Sequence, residues 1–371
     1  MSSNNPKRLF YSLLRDALWR TGEEMPSELS EQDTKNLFSI AGKQAVLGLV
    51  LDALIRRDVR MPQMWVLKAV GMLEQIKQQG RVINDGVVSL EKLMTDHDIS
   101  YAIVKGQVVA SYYPDALMRQ SGDIDYYCDE KNFPLSQAAV KAAWGVDEEP
   151  NGGYHVHYDH EGVTYEGHFR LVNLYNKQKD AYWKRLTDSD EGAWADINGS
   201  MIRTLSPTLH ALYVFLHLYH HLLELGVGLR QFCDWAVMLH ACRDEIDHEA
   251  VRHHLQVLGL EDAYRACGCI LVDYLGLSAA EFTYELTSKD RRYVARILDV
   301  VFYRGNMGHY NKRSGFHGWK HKVESALIKL SHFLKFYPLA PSFMRDWGWH
   351  VVKQKVVRQN VPPGRAGRDM T

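Results

Sequence analysis

The sequence lacks the features of a secreted, membrane-spanning or disulfide-stabilised protein. It has five cysteines in 371 residues, and an odd number without a C-x-x-C pair argues against a disulfide framework or a zinc knuckle. Reduced cytoplasmic thiols are the simpler interpretation. No apolar run approaches the length of a membrane span, and the N-terminal stretch MSSNNPKRLFYSLLRDALWR is not a signal peptide. We therefore expect a cytoplasmic chain without a membrane span.

The sequence also has little net charge and no internal repeat. The formal charge is −1, so no overall field recruits nucleic acid or a membrane surface. The exception is residues 311–371, which carry twelve Lys or Arg residues against three acidic ones. Within this region KRSGFHGWKHK places Phe316 and Trp319 among cations. That pattern can bind nucleic acid, although a solvated helical face is the simpler interpretation.

Hydrophobic periodicity divides the chain into two helical regions around a mixed centre. Residues 1–96 predict helices, in NLFSIAGKQAVLGLVLDALIRR and again from Met64 to about Leu93, and Ser30 with Asp33 resembles a capping box. Residues 97–204 form the mixed part. Residues 205–356 are again mainly helical, beginning at Ser206-Pro207, and residues 357–371 are expected to be a flexible tail.

The central region predicts short strands and tight turns. SYAIVK is a strand candidate, GQVVASYY a short helix, and SGDIDYYC an alternating strand. Glu161-Gly162 and Asn198-Gly199 mark two hairpins, the second leading into SMIRTL. We therefore predict an α+β fold in which a small mixed β-sheet core is flanked by N- and C-terminal helical regions.

Asp123 and Asp125 are the central candidates for metal ligands. On a strand they share one face, while Ile124 points to the other. Two adjacent carboxylates repel each other, and partial burial without a cation is costly. Mg²⁺ takes oxygen ligands and fits beside phosphates. Taken alone, the tripeptide Asp123-Ile124-Asp125 is more typical of an exposed polar strand than of a metal site. The flanking residues are therefore needed to choose between the two interpretations.

The residues before Asp123 suit phosphate binding. Lys105 and Gly106 stand between a strand and a short helix, where free backbone N–H groups and the helix dipole favour an anion. Gly106 would let a triphosphate approach the main chain. Arg119 either clamps a phosphate or acts as the counter-ion of an aspartate. The alternative is that Gly106 ends a strand and Lys105 is a solvated surface residue.

Glu166 is the candidate third carboxylate. In VTYEGHFRL it shares a strand face with His168 and Arg170, and glutamate is unusual inside a strand. Glu166 would act as a general base for the attacking hydroxyl or as a metal ligand. The alternative is that this face is simply exposed to solvent.

The histidine-rich stretch that follows gives weaker signals. His217 and His221 are four residues apart, a spacing that can suit zinc, but no H-E-x-x-H pattern or third ligand accompanies them. Packing is the simpler role. Arg230 and Asp234 have the same spacing and form either a helix pair or, if the helix lines the cleft, contacts to a nucleotide or acceptor.

The segment VKGQVVASYYPDALMRQSGDIDYYCD resembles the core of an uncharacterised bacterial nucleotidyltransferase family of the polymerase-beta superfamily. The resemblance spans about residues 30–240. The wider superfamily usually has Gly-Gly or Gly-Ser where this chain has Gly106-Gln107. The matching residues are Val104-Lys105-Gly106, Tyr113-Pro114, Arg119, Gly122-Asp123-Ile124-Asp125, Glu166, His168, Phe169, His217, His221, Leu229-Arg230 and Asp234.

This resemblance implies transfer of a nucleoside monophosphate from an NTP, with ATP favoured, to an unidentified acceptor. Pyrophosphate is released, and the acceptor is a small molecule, a protein or RNA. Mg²⁺, with Mn²⁺ as the alternative, would be held by the catalytic residues Asp123, Asp125 and Glu166. The expected nucleotide-binding residues are Lys105, Gly106, Gln107, Arg119 and Gly122, and the expected nucleotide or acceptor contacts are His168, His221, Arg230 and Asp234.

Two other functions remain open from the sequence. The chain could be a catalytically weak relative that binds a nucleotide or a partner protein, in regulation or in a toxin–antitoxin pair. It could also be a metal-dependent glycosyltransferase, because those enzymes use Asp-x-Asp to hold a nucleotide-sugar diphosphate. Such enzymes usually place a βαβ fold before that motif, and the helical upstream residues count against them.

Overall fold

The computed structural model describes residues 6–146, 149–151, 155–224, 226–306, 327, 330–331 and 333–360. Ser30 caps the second helix as predicted, its hydroxyl accepting from the Asp33 N–H. The apolar stretch beyond Ser30 is divided into two helices, because Ala45 adopts a positive φ of 54° and turns the chain. The N-terminal region is thus helical, as predicted: α1 (Pro6–Trp19), α2 (Glu31–Lys43), α3 (Leu47–Arg56) and α4 (Gln63–Asp96).

A mixed seven-stranded sheet lies at the centre of the described chain. Its strands are β1 (Ala102–Val104), β2 (Asp123–Tyr127), β3 (Glu149–Asn151), β4 (His155–His160), β5 (Val163–His168), β6 (Ala193–Ile197) and β7 (Ser200–Thr204). Their order across the sheet is β3-β4-β5-β2-β1-β7-β6. β2 runs parallel to β5 and β1 parallel to β7, and the other neighbours are antiparallel. Among the described residues, three α-helices lie between strands: α5 (Gly106–Ala110), α6 (Phe133–Trp144) and α7 (Lys177–Asp188).

Both predicted hairpins are confirmed. Glu161 and Gly162 have φ values of 49° and 77° between β4 and β5. Asn198 and Gly199 have φ values of 54° and 80° between β6 and β7. Two consecutive positive φ angles match the twist of the flanking strands, which favours Asn and Gly there. These turns fix the register of each strand pair and therefore the face on which each side chain lies.

One face of the sheet is apolar and packs against α4 and α6. Ile124, Tyr126 and Tyr165 are buried there together with Val87 of α4. The approach of α4 is close, since a Cβ at Gly86 would lie 2.8 Å from the Tyr165 hydroxyl oxygen. The strand alternation therefore turns the acidic side chains of β2 towards the opposite side.

Helices after the sheet cover that opposite side. The first of them begins at Pro207, as the Ser206-Pro207 signal predicts. Large aromatic residues such as Phe215, Trp235 and Tyr264 are fully buried among these helices. The α+β prediction with two flanking helical regions is confirmed, and the second region comprises α8 (Pro207–Glu224), α9 (Leu229–Ala241), α10 (His248–Leu258), α11 (Glu261–Asp273), α12 (Ser288–Arg291), α13 (Val294–Arg304) and α14 (Pro341–Asn360).

The end of the chain differs in part from the expectation. Helix α14 continues to Asn360, so residues 357–360 are helical, in keeping with the lack of Gly or Pro between Gly348 and Pro362. The basic stretch KRSGFHGWKHK, at residues 312–322, and the tail at 361–371 lie outside the described residues. Within the described chain, none of the helices combines the length and apolar character that crossing a bilayer requires.

Candidate active site

A cleft of about 450 Å³ lies between the charged face of the sheet and helices α8 and α9. The sheet contributes residues from β2 and β5, and the turn after β1 contributes Lys105 and Gly106. Gln107 is the one proposed site residue that does not line the cleft. The other proposed residues do: Lys105, Gly106, Arg119, Gly122, Asp123, Asp125, Glu166, His168, His221, Arg230 and Asp234.

Strand register brings the acidic residues together. Asp125 lies directly opposite Glu166 in the parallel β2–β5 pair. The His168 Nε2 lies 2.9 Å from the Asp125 Oδ1 and 3.6 Å from the Glu166 Oε2. Asp123 is half-buried on the same face as Asp125, and no described cation lies within 4.0 Å of its carboxylate. The alternative that this face is simply exposed to solvent is excluded, because Asp125 and His168 are buried.

Lys105 is the cation of this cluster. Its Nζ lies 2.9 Å from the Asp125 Oδ1 and 3.3 Å from the His217 Nδ1. The backbone of Lys105 is unusual for a non-glycine residue, with φ 56° and ψ −136°. Its N–H donates to the His210 Nε2 at 3.0 Å, which holds the strained conformation. Such strain costs about 1–3 kcal/mol and clusters at functional sites.

Like charges in the cleft oppose one another. Repulsion from Asp125, followed by burial, raises the pKa of Asp123. Burial, followed by Asp125, raises the pKa of Glu166. Burial also opposes ionisation of Asp125, but Lys105 and His168 outweigh it and hold the pKa of Asp125 below its usual value. One carboxylate is thus neutralised by the protein and two are not, a situation that a bound cation would relieve.

The predicted phosphate-binding segment is partly as expected. Helix α5 begins at Gly106, directly after the turn from β1, and Gly106 has a positive φ of 41°. The Gln107 side chain points away from the cleft. Its amide nitrogen donates to Asn84 of α4, and its oxygen accepts from the Ser121 hydroxyl. We assign the Gln107 side chain a structural role, fixing α5 to α4 and to the turn before β2.

Arg119 is held by a carboxylate from another helix. Its Nε and Nη2 donate to the two Asp234 oxygens at 2.8 and 2.9 Å, and the Tyr113 hydroxyl donates to the same carboxylate at 2.7 Å. Both charged groups are buried. The structure pairs Arg119 with Asp234 rather than with Asp123 or Asp125, and the phosphate-clamp role of Arg119 stays a prediction.

Arg230 lies at the start of α9 and is differently placed. Its Nη1 donates to the Gln120 carbonyl at 2.6 Å, three residues before Asp123. Arg230 and Asp234 do not form the i, i+4 ion pair that the sequence allows, because Arg119 occupies the Asp234 carboxylate. Arg230 therefore reaches the cleft without a carboxylate partner among the described residues.

Several lining residues were missed by the sequence analysis. His155 lies opposite His168 in the β4–β5 register, and counting back from the Glu161-Gly162 turn would have found it. Tyr213 and Asn306 also line the cleft, but no local signal marks them. His217 and His221 lie in ring contact, with centroids 4.3 Å apart, and no third metal ligand accompanies them in the described part of the chain.

The side chains of this cluster fit a divalent cation. Ligand atoms from Asp125, Glu166 and His168 all lie within 4.8 Å of one another. Asp123, which the sequence predicts to be a metal ligand, lies outside this group, whereas His168 lies inside it. Carboxylate oxygens suit Mg²⁺, and an added imidazole nitrogen also suits Mn²⁺. The repulsion between Asp123 and Asp125 is a second feature that a cation would relieve.

Comparison with known proteins identifies the family. No curated protein matches the chain. The crystal structure of an antigenic nucleotidyltransferase-like protein from Paracoccidioides brasiliensis is similar at 14% identity and a TM-score of 0.35, covering 55% of this chain and 98% of that one. A family model described as "Uncharacterised nucleotidyltransferase" matches residues 30–276, more than half of the chain. The match confirms the resemblance seen in the sequence, and the chain belongs to this family of uncharacterised nucleotidyltransferases.

Proposed function

We propose that the protein transfers a nucleoside monophosphate from an NTP, with ATP favoured, to an acceptor hydroxyl. The observation that carries the proposal is the β2–β5 register, which sets Asp125 opposite Glu166 beside the unpaired Asp123 in a cleft. Membership of a nucleotidyltransferase family supports the same chemistry. Three carboxylates that converge in a cleft destabilise the fold through desolvation and mutual repulsion, and a bound cation would compensate for this cost.

Each residue has a proposed role. Asp123, Asp125 and Glu166 would hold Mg²⁺ or Mn²⁺, with His168 available as a nitrogen ligand. When bound there, the cation would neutralise charge on the α-phosphate and on the leaving pyrophosphate. Lys105 would exchange its Asp125 partner for a phosphate oxygen, a movement that the strained backbone at Lys105 would assist.

The reaction balances without a further reagent. The acceptor oxygen forms a bond to the α-phosphorus, the bond from that phosphorus to the β-bridging oxygen breaks, and pyrophosphate leaves. The hydroxyl proton has to be removed as the new bond forms. Glu166 would accept it if Asp123, Asp125 and His168 hold the cation, because burial and the neighbouring Asp125 then raise the pKa of an unbound Glu166 carboxyl.

The test is label transfer in a cell extract that supplies acceptors. Protein is incubated with Mg²⁺ or Mn²⁺ and ATP labelled at either the α- or the γ-phosphate. Relative to extract without the protein, we expect only the α-label to gain transfer to an acceptor, and the kind of molecule labelled identifies the acceptor class. Asp123→Ala combined with Asp125→Ala should reduce transfer by about a thousandfold or more without unfolding the protein.

A matched control is Glu130→Ala, which removes an exposed carboxylate shortly after β2. Its transfer rate should equal that of the wild type. Retained transfer in the double aspartate variant, with its circular dichroism spectrum unchanged, would reject the assignment.

One observation favours a second candidate, a nucleotide-binding protein without catalysis. Lys105 already supplies a positive charge 2.9 Å from Asp125, in the place where a metal would act. If the protein only binds the nucleotide, calorimetry would detect ATP binding, while neither the α- nor the γ-phosphate label would be transferred to an acceptor. A glycosyltransferase is disfavoured, because residues 6–96 form helices α1–α4 and no βαβ unit precedes Asp123 within those residues.

A further inference from the structure

The cations that face the cleft differ in how they are paired. Of the Lys and Arg residues among the described lining, Lys105 is bound to Asp125 and Arg119 to Asp234. Arg119 is therefore committed inside the protein, whereas Lys105 can reach a phosphate only by leaving Asp125. Arg230 is the third, and no described carboxylate lies within 4.0 Å of it. The structure thus leaves one guanidinium whose charge faces the cleft without an anion.

The hydrogen bonds of Arg230 are also incomplete. Nη1 is bound to the Gln120 carbonyl at 2.6 Å, which fixes the side chain beside the start of β2. The Nε is buried and has no partner among the described residues. A buried donor without a partner costs about 1–3 kcal/mol, so native structures seldom keep one without a use. Burial, followed by repulsion from Arg119, lowers the pKa of Arg230, although a guanidinium stays protonated at neutral pH.

The backbone of α9 does not supply the anion site. Its first N–H groups, on Leu229 and Arg230, already donate to the side-chain and main-chain oxygens of Gln44. At the start of α9, only the Arg230 side chain therefore remains available to a phosphate. Planar guanidinium groups bind phosphate oxygens through two parallel N–H donors, which would satisfy the orphaned Nε.

We infer that Arg230, rather than Arg119, binds the β- and γ-phosphates of the nucleoside triphosphate. The inference rests on the proposed function and adds to it the residue that holds the polyphosphate. A triphosphate carries more negative charge than one divalent cation neutralises, so a protein cation is needed beside it. Arg230 is anchored to Gln120, close to Asp123, and is therefore placed to hold the phosphates beyond the metal carboxylates.

The experiment compares ligands that differ in their phosphates. Calorimetry with Mg²⁺ present measures ATP, pyrophosphate and AMP binding to the wild type, Arg230→Met and Arg230→Lys. Arg230→Met should weaken ATP and pyrophosphate binding by about ten- to a hundredfold, the value of a charge-assisted hydrogen bond, and leave AMP binding unchanged. The affinity of Arg230→Lys for ATP and pyrophosphate should lie between those of the wild type and Arg230→Met, because Lys keeps the charge but not the paired donors.

Arg243→Met is the matched control, since Arg243 is an exposed arginine just beyond the other end of α9. It should bind all three ligands as the wild type does. If Arg230→Met binds ATP with wild-type affinity, the inference is overturned and the proposed function stands. The same conclusion follows if a folded Arg230→Met variant loses affinity equally for ATP, pyrophosphate and AMP. Failure of the wild type to bind ATP or pyrophosphate would overturn both.

Discussion

The two faces of the β2–β5 strand pair carry opposite chemistry, although both are covered by helices. On one face Ile124, Tyr126 and Tyr165 are at most 2% exposed and pack against α4 and α6. On the other face Asp123 and Glu166 line a cleft beneath α8 and α9. Solvent exposure therefore does not explain the charged side chains of the second face.

The difference shows that the apolar face stabilises the fold, whereas the charged face does not and therefore serves a function other than stability. Apolar side chains stabilise by leaving water, at roughly 25 cal/mol per Å². Carboxylates in a partly buried cleft lose hydration and repel each other, as the raised pKa values of Asp123 and Glu166 show. A sheet selected for stability alone would carry apolar residues on both faces.

The largest effect on stability is expected on the apolar face. Tyr126 is fully buried there. Tyr126→Ala should lower the free energy of unfolding by about 3–5 kcal/mol, because it removes a large side chain and leaves a cavity. Urea denaturation measures this loss. Trp194→Ala, at a residue 59% exposed on β6, is the control and should change stability by less than about 0.5 kcal/mol. Similar losses in both variants would contradict the role of this face.

Arg119→Met tests the assignment of Arg119 to the fold. It leaves Asp234 buried without its bidentate partner and should cost about 3–5 kcal/mol. Adding Asp234→Leu removes the orphaned charge and should recover a large part of that loss, measured by urea denaturation. A small loss in the single variant, with weakened pyrophosphate binding, would instead make Arg119 the phosphate ligand.

The smallest effect, with the opposite sign, is expected on the charged face. Asp123→Asn removes the repulsion from Asp125 and should raise the free energy of unfolding at pH 7 by roughly 1 kcal/mol. Because folding raises the pKa of Asp123, the folded state binds this proton more tightly, and ionisation destabilises the fold as pH rises through the carboxyl range.

The increase in the free energy of unfolding from Asp123→Asn should therefore be present at neutral pH. It should be absent below about pH 4, where the Asp123 carboxyl of the wild type is protonated and hence also uncharged. Urea denaturation of both proteins at the two pH values measures it. If Asp123→Asn destabilises the protein equally at both, the carboxylate has a structural role that the unpaired geometry does not show.

Local patterns predicted a large part of the fold and the acidic cluster. Two-residue alternation placed Asp123 and Asp125 on one face, and the Glu161-Gly162 and Asn198-Gly199 turns gave both hairpins. These features depend on neighbouring residues only. For the same reason the position of His155 opposite His168 was predictable from the turn.

Features that depend on distant residues could not be predicted. Arg119 and Asp234 are 115 residues apart in sequence, and no local pattern shows that they pair or that Arg230 is left without a described carboxylate partner. The parallel pairing of β2 with β5 likewise joins segments with α6 between them. The turn at Ala45 lacks the glycine that usually marks a positive φ.

Calorimetric titration of ATP, with and without Mg²⁺ or Mn²⁺, tests most directly whether the charged face is a metal–nucleotide site. The wild type should bind ATP only when the cation is present. Asp123→Ala combined with Asp125→Ala should lose that binding while its unfolding transition remains cooperative. Equal ATP affinity with and without the cation, or in the two proteins, would show that the carboxylates serve another purpose.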